Sequence, residues 1–99
     1  MFDVRDYRDQ IKQICLKYGV KTLEIFGSVL RDDFLDASDI DLFYKFIGSN
    51  DLFARYYGLK DDLESLFKRK VDLIKEENII NPYIRMAINV SPRIMVYAA

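Results

Sequence analysis

Apolar and polar positions along this 99-residue chain switch repeatedly between helical spacing and strand alternation. From Val4 to Tyr18, the residues Val4, Tyr7, Ile11, Ile14, Cys15 and Tyr18 recur at helical spacing, with Asp3 placed to cap the start and Gly19 to close the end. Thr22 to Phe26 is rich in strand formers and ends at Gly27-Ser28, where a strand-to-helix turn is expected, with a short helix over Val29 to Asp33. Ser38 to Phe46 reads as a strand that sends Asp39, Asp41, Phe43 and Lys45 to one face. Ile40, Leu42, Tyr44 and Phe46 go to the other, which marks the core side. Gly48-Ser49-Asn50 makes a turn and offers a cap; Leu52, Tyr56, Leu59, Leu63 and Leu66 then carry a helical stripe to Phe67, which Gly58 would bend or break. Val71 to Ile74 is a short strand within Lys70 to Lys75, Asn81-Pro82 opens a further helix that ends at Pro92, and Ile94 to Tyr97 is a last strand. Helices alternating with strands predict an α+β fold with α/β-type layers, helices packed on a sheet, in one domain over residues 1–99.

Composition narrows the function classes. Hydrophobic residues make up 51% of the chain, with seven Tyr and seven Phe, which is too apolar for a disordered segment. Fifteen Lys plus Arg against sixteen Asp plus Glu leave a net charge of -1, so the chain lacks the basic excess that tracks nucleic acid, and no direct nucleic-acid binding is expected. A single cysteine, Cys15, permits neither an internal disulfide nor a thiolate metal cage. With no histidine to activate it, Cys15 reads as a small core residue. The charged first residues and the lack of any membrane-length apolar stretch lead to the expectation of a cytoplasmic protein with no membrane partner.

The chemistry is concentrated in one pattern: Gly27-Ser28, ten residues, then Asp39-Ile40-Asp41. A Gly-Ser turn between strand and helix points backbone N–H groups and a hydroxyl at one spot, as triphosphate oxygens require, and Gly27 allows close approach. Asp39 and Asp41, two apart on a strand, share a face and can jointly hold hard divalent cations through oxygen. Two Mg²⁺ ions would clamp the attacking and leaving oxygens of an in-line phosphoryl displacement. Asp72, flanked by Val71 and Leu73, should point away from the core and supply a third carboxylate, as metal ligand or general base. Arg31, one helical turn after Ser28, could grip a phosphate. Asp32, Asp33 and Asp36 crowd the same loop and read as solvated turn residues.

The run LEIFGSVLRDDFLDASDIDLFYKF, Leu23 to Phe46, resembles the signature of the polymerase β-like nucleotidyltransferases, and the later VDLI and N-P-Y segments are similar to their small, free-standing branch, the minimal nucleotidyltransferases. The resemblance implies a small mixed sheet with helices on it, a phosphate-binding Gly27-Ser28, metal-binding Asp39 and Asp41, and Asp72 as third acidic residue. One departure is Asp32, where many relatives have glycine; Asp tolerates unusual backbone angles, so loop geometry rather than activity should differ.

The resemblance also implies a partner. Members of this branch are commonly encoded beside HEPN proteins, all-helical, dimeric ribonuclease toxins, and act as antitoxins that transfer AMP from ATP to a toxin tyrosine. Larger relatives carry extra domains for the acceptor, so the acceptor here must bring its own surface. Phe53, Tyr57 and Ile94 to Tyr97 could form a docking patch or simply complete the core. The competing readings are an antitoxin that works by contact alone and transfer to a small molecule such as an aminoglycoside.

Overall fold

The apolar stripe of the first segment meets a sheet, as its spacing predicts. The computed structural model describes residues 4–26, 40–75 and 93–99. A 3₁₀ turn, Val4–Tyr7, leads into helix α1, Arg8–Tyr18. The expected single helix therefore starts as a tighter turn, with Tyr7 at the N-cap and no side-chain capping bond, while Asp3 lies outside the described residues. Gly19 closes α1 as expected: its φ of 65° lies in the left-handed region, and its N–H donates to the Cys15 carbonyl.

Strand β1, Val20–Phe26, follows at once. It starts two residues earlier than the propensities of Thr22 to Phe26 suggest because Val20, 1% exposed, pairs with Phe46 across a bulge before Thr22. Strand β2, Ile40–Phe46, helix α2, Leu52–Phe67, strand β3, Val71–Ile74, and strand β4, Arg93–Ala98, complete the described elements. The sheet order is β3-β2-β1-β4. β1 is antiparallel to both neighbours, whereas β2 and β3 run parallel, with α2 as the crossover that a parallel pair needs. The expected helices over Val29 to Asp33 and after Asn81-Pro82 lie outside the described residues.

The core lies between the helices and one sheet face. Ile11 and Cys15 of α1 and Leu59, Leu63 and Phe67 of α2 close on Leu23, Ile25, Ile40, Leu42, Tyr44, Val71 and Leu73, with Tyr7, Ile14, Tyr18, Tyr56 and Leu66 packed around them. Leu52, read as part of the inward stripe, is instead 36% exposed at the start of α2. Gly58 neither bends nor breaks that helix, which runs unbroken across it. Its lack of a side chain serves packing: a Cβ there would sit 2.8 Å from Cζ of Tyr18, so α1 and α2 approach where glycine leaves room.

The turn before α2 is held differently from the cap its sequence offered. Asp51 is the N-cap residue, with φ of 54° and no side-chain capping bond. Arg55 gathers the surrounding chain instead. Its Nε donates to the Tyr18 carbonyl, Nη1 to Asn50, and Nη2 to both Gly19 and Ile47, each at 2.8 Å. The guanidinium also lies 4.4 Å from the Phe46 ring centre. One side chain thus ties the end of α1, the turn after β2 and the start of α2 together. Among the described residues, no helix is long and apolar enough to cross a membrane.

Candidate active site

The alternation of β2 and β3 sends Ile40, Leu42, Val71 and Leu73 to the helices and the carboxylates to the opposite face. Ile40, Leu42, Val71 and Leu73 are buried, Asp41 is half-buried and Asp72 is exposed. The parallel register pairs Asp41 with Asp72, so the two carboxylates stand on neighbouring strands at the same rung. Adjacent strands lie about 4.8 Å apart, close enough for two carboxylates to share one cation. On its other side Asp41 pairs with Phe26, and Phe26 in turn with Arg93. Phe26 is the last residue of β1, and Gly27-Ser28 follow it directly in sequence. The backbone therefore brings Asp72, Asp41 and the end of β1 into one row. Gly27, Ser28, Arg31 and Asp39 themselves lie outside the described residues.

The next rung on this face is closed. Ile74 pairs with Phe43, and Phe43 with Glu24. Phe43 was expected on the polar face with Asp39, Asp41 and Lys45; it does alternate with the core residues, yet it is only 4% exposed. The face is thus polar at the Asp41–Asp72 rung, and directly behind it β2 and β3 turn apolar at Phe43 and Ile74.

Two contacts fix where β3 begins, and neither announced itself in the sequence. The Ile40 N–H donates to the Lys70 carbonyl at 2.9 Å, joining the first residue of β2 to the residue before β3. The Val71 N–H donates to Oε2 of Glu64 on α2, also at 2.9 Å. A half-buried helix carboxylate thus satisfies a strand amide one residue before Asp72, which pins the register that aligns Asp72 with Asp41. Glu64 had only its place in α2 to mark it, since a backbone partner leaves no pattern in sequence.

The donor set suits a hard divalent cation. Carboxylate oxygens are the preferred ligands of Mg²⁺, and a rung with one half-buried and one exposed carboxylate leaves coordination positions for water and substrate oxygens.

A family model described as the nucleotidyltransferase domain matches residues 8–92. The chain belongs to this nucleotidyltransferase family. Among curated relatives, the candidate protein adenylyltransferase MJ0128 of Methanocaldococcus jannaschii is 37% identical over 87 residues, covering 87% of this chain and 88% of that protein. Among solved structures, a candidate minimal nucleotidyltransferase aligns with a TM-score of 0.69 at 26% identity, over 92% of this chain and 95% of its own. A toxin-antitoxin complex with AMP-PNP includes a chain that aligns with a TM-score of 0.66 at 18% identity, over 93% of this chain and 73% of its own; at that identity the likeness speaks for the fold alone. Among the described residues, two helices on a four-stranded mixed sheet form the minimal nucleotidyltransferase fold, and the Asp41–Asp72 rung lies where its two parallel strands begin.

Proposed function

We propose that this nucleotidyltransferase is a metal-dependent protein adenylyltransferase that moves AMP from ATP to a tyrosine of an all-helical HEPN ribonuclease toxin, acting as its antitoxin. The observation that carries the reading is the pairing of Asp41 with Asp72 on an open face, in one row with the strand that ends before Gly27-Ser28. Curated relatives named for protein adenylyl transfer support a protein acceptor, and a structural neighbour named as a toxin-antitoxin complex with AMP-PNP supports both the nucleotide and the kind of partner.

In this reading Asp39, Asp41 and Asp72 hold two Mg²⁺ ions. When bound, the ions supply charge neutralisation at the triphosphate and at the attacking oxygen. Gly27 and Ser28 bind phosphate oxygens through backbone N–H groups and a hydroxyl, and Arg31 grips a further phosphate. The tyrosine oxygen attacks the α-phosphorus, the bond to the bridging oxygen breaks, and pyrophosphate leaves. Asp72, exposed beside the acceptor's path, takes the phenolic proton. Docking against the acceptor supplies the orientation of the attacking tyrosine oxygen.

The test is intact-mass spectrometry of the helical partner after incubation with this protein, ATP and Mg²⁺. One or more added AMP units, absent with Asp41→Asn, is the expected result. A partner that is silenced without gaining mass would overturn the catalytic reading, and modification of an aminoglycoside in its place would overturn the protein acceptor.

A further inference from the structure

The turn between α2 and β3 gathers positive charge on a chain whose net charge is -1. Among the described residues, Lys60, Glu64, Lys68, Arg69 and Lys70 line a shallow open recess there, four cations against one carboxylate. That carboxylate is engaged, since Glu64 accepts the Val71 N–H. Lys68 adopts a φ of 56° and ends the helix, its N–H donating to the Glu64 carbonyl at 2.8 Å. This left-handed turn carries the chain directly from helix to strand, so Lys68 and Lys70, both exposed, stand at the mouth of β3.

The position of the recess relative to the carboxylates gives it a meaning. Lys70 precedes Asp72 by two residues, roughly 7 Å of extended chain, and its carbonyl bonds the first residue of β2. In the order β3-β2-β1, the recess lies at the β3 edge, while Gly27-Ser28 leave from the end of β1 on the far side of Asp41. Lys60 and Glu64 stand on α2, across the sheet from the carboxylates, so an acceptor held there would reach the Asp41–Asp72 rung around the β3 edge, past Lys68 and Lys70, from the side opposite the end of β1.

We propose that this basic recess docks an acidic segment of the protein acceptor beside the hydroxyl that is modified. The proposal rests on the reading of the chain as a protein adenylyltransferase and names the chemistry of the surface it selects. Carboxylates of the acceptor would pair with Lys60, Lys68 and Lys70, steering the encounter from the β3 edge. Nucleic acid is the weaker candidate for the same charge: among the described residues no aromatic side chain lines the recess to serve as a stacking platform for bases, and the basic stretch is too short to follow a phosphate backbone.

The test measures binding without ATP or Mg²⁺, so its outcome is independent of whether transfer occurs. Fluorescence anisotropy would compare three labelled probes: a glutamate-rich peptide carrying one tyrosine, its lysine-rich counterpart, and a short oligouridylate. The expected result is selective binding of the glutamate-rich peptide, weakened at least about tenfold by Lys68→Glu with Lys70→Glu and by raised salt, and unchanged by Lys12→Glu on α1. Lys60→Glu alone gives a smaller loss in the same direction, and circular dichroism verifies that each variant is folded. Equal binding of the acidic and basic peptides, or no loss in the double variant, would overturn the proposal. Tighter binding of the oligouridylate through the same lysines would overturn it in favour of a nucleic-acid surface.

Discussion

Asp72→Asn should make the metal-free protein more stable while destroying its activity. Asp41 and Asp72 are partners across the parallel β2–β3 pair, so two like charges stand on neighbouring strands whose spacing of about 5 Å sets the scale of their repulsion. At the dielectric of water that repulsion is about 0.8 kcal/mol, and at an effective dielectric of 20 it is about 3 kcal/mol. Asp41 is half-buried, which argues for more than the lower figure; Asp72 is exposed, which argues for much less than the upper one. A gain of about 1 kcal/mol follows for Asp72→Asn in EDTA, or roughly 4–8 °C in the melting temperature of a domain this size. Mg²⁺ reverses the order, because the parent then gains ligand-binding stabilisation that the variant has largely lost. Thermal melts followed by circular dichroism, in EDTA and in millimolar Mg²⁺, read both signs. Equal melting of parent and variant in EDTA, or an equal Mg²⁺ shift in both, would refute the shared-site argument.

Three further outcomes are expected. Ser28→Ala removes one hydroxyl from the proposed phosphate site and should weaken ATP use by about 1–3 kcal/mol, read as a raised KM for ATP with the acceptor held constant. Cys15 is fully buried, and burial pushes its thiol from 9.0 up to about 12; the unfolded chain then loses its proton first, so the Cys15 contribution to stability is intact below pH 9 and erodes as pH climbs from 9 toward 12, a loss that Cys15→Ala should abolish in pH-dependent urea melts. Arg55→Ala removes the guanidinium donor from the part-buried Tyr18 carbonyl, while the Gly19 carbonyl keeps the Ile47 N–H, and should cost about 1–2 kcal/mol in urea denaturation, with Arg55→Lys recovering less than half because an ammonium cannot reproduce the guanidinium fork.

Much of the fold was legible because each element carries its own period. The stripe Val4, Tyr7, Ile11, Cys15 and the alternation of Ile40, Leu42 and Tyr44 both identify a buried face, and the described residues place that face in the core. Gly19 announced the end of α1 because a left-handed closing residue favours glycine. Gly58 misled for the complementary reason. A glycine can be required by the backbone or by a neighbour, and only the nearness of Tyr18 shows which applies. Arg55 and Glu64 were silent because their partners are backbone groups, which every residue has, so no sequence spacing encodes the contact.

The candidate site divides along the same line. That Asp41 and Asp72 turn away from the core follows from period two within each strand, but their sharing a rung depends on how the crossover helix returns the chain. α2 brings β3 in parallel beside β2, and the length of the Lys68-Arg69-Lys70 turn, locked by Glu64 on Val71, decides whether Asp72 or a neighbour meets Asp41. A slip of one residue in that turn would place Val71 or Leu73 opposite Asp41 and turn Asp72 into the core. The basic turn is therefore tied to the site twice, by setting the register of its carboxylates and by presenting charge at the edge from which an acceptor would come.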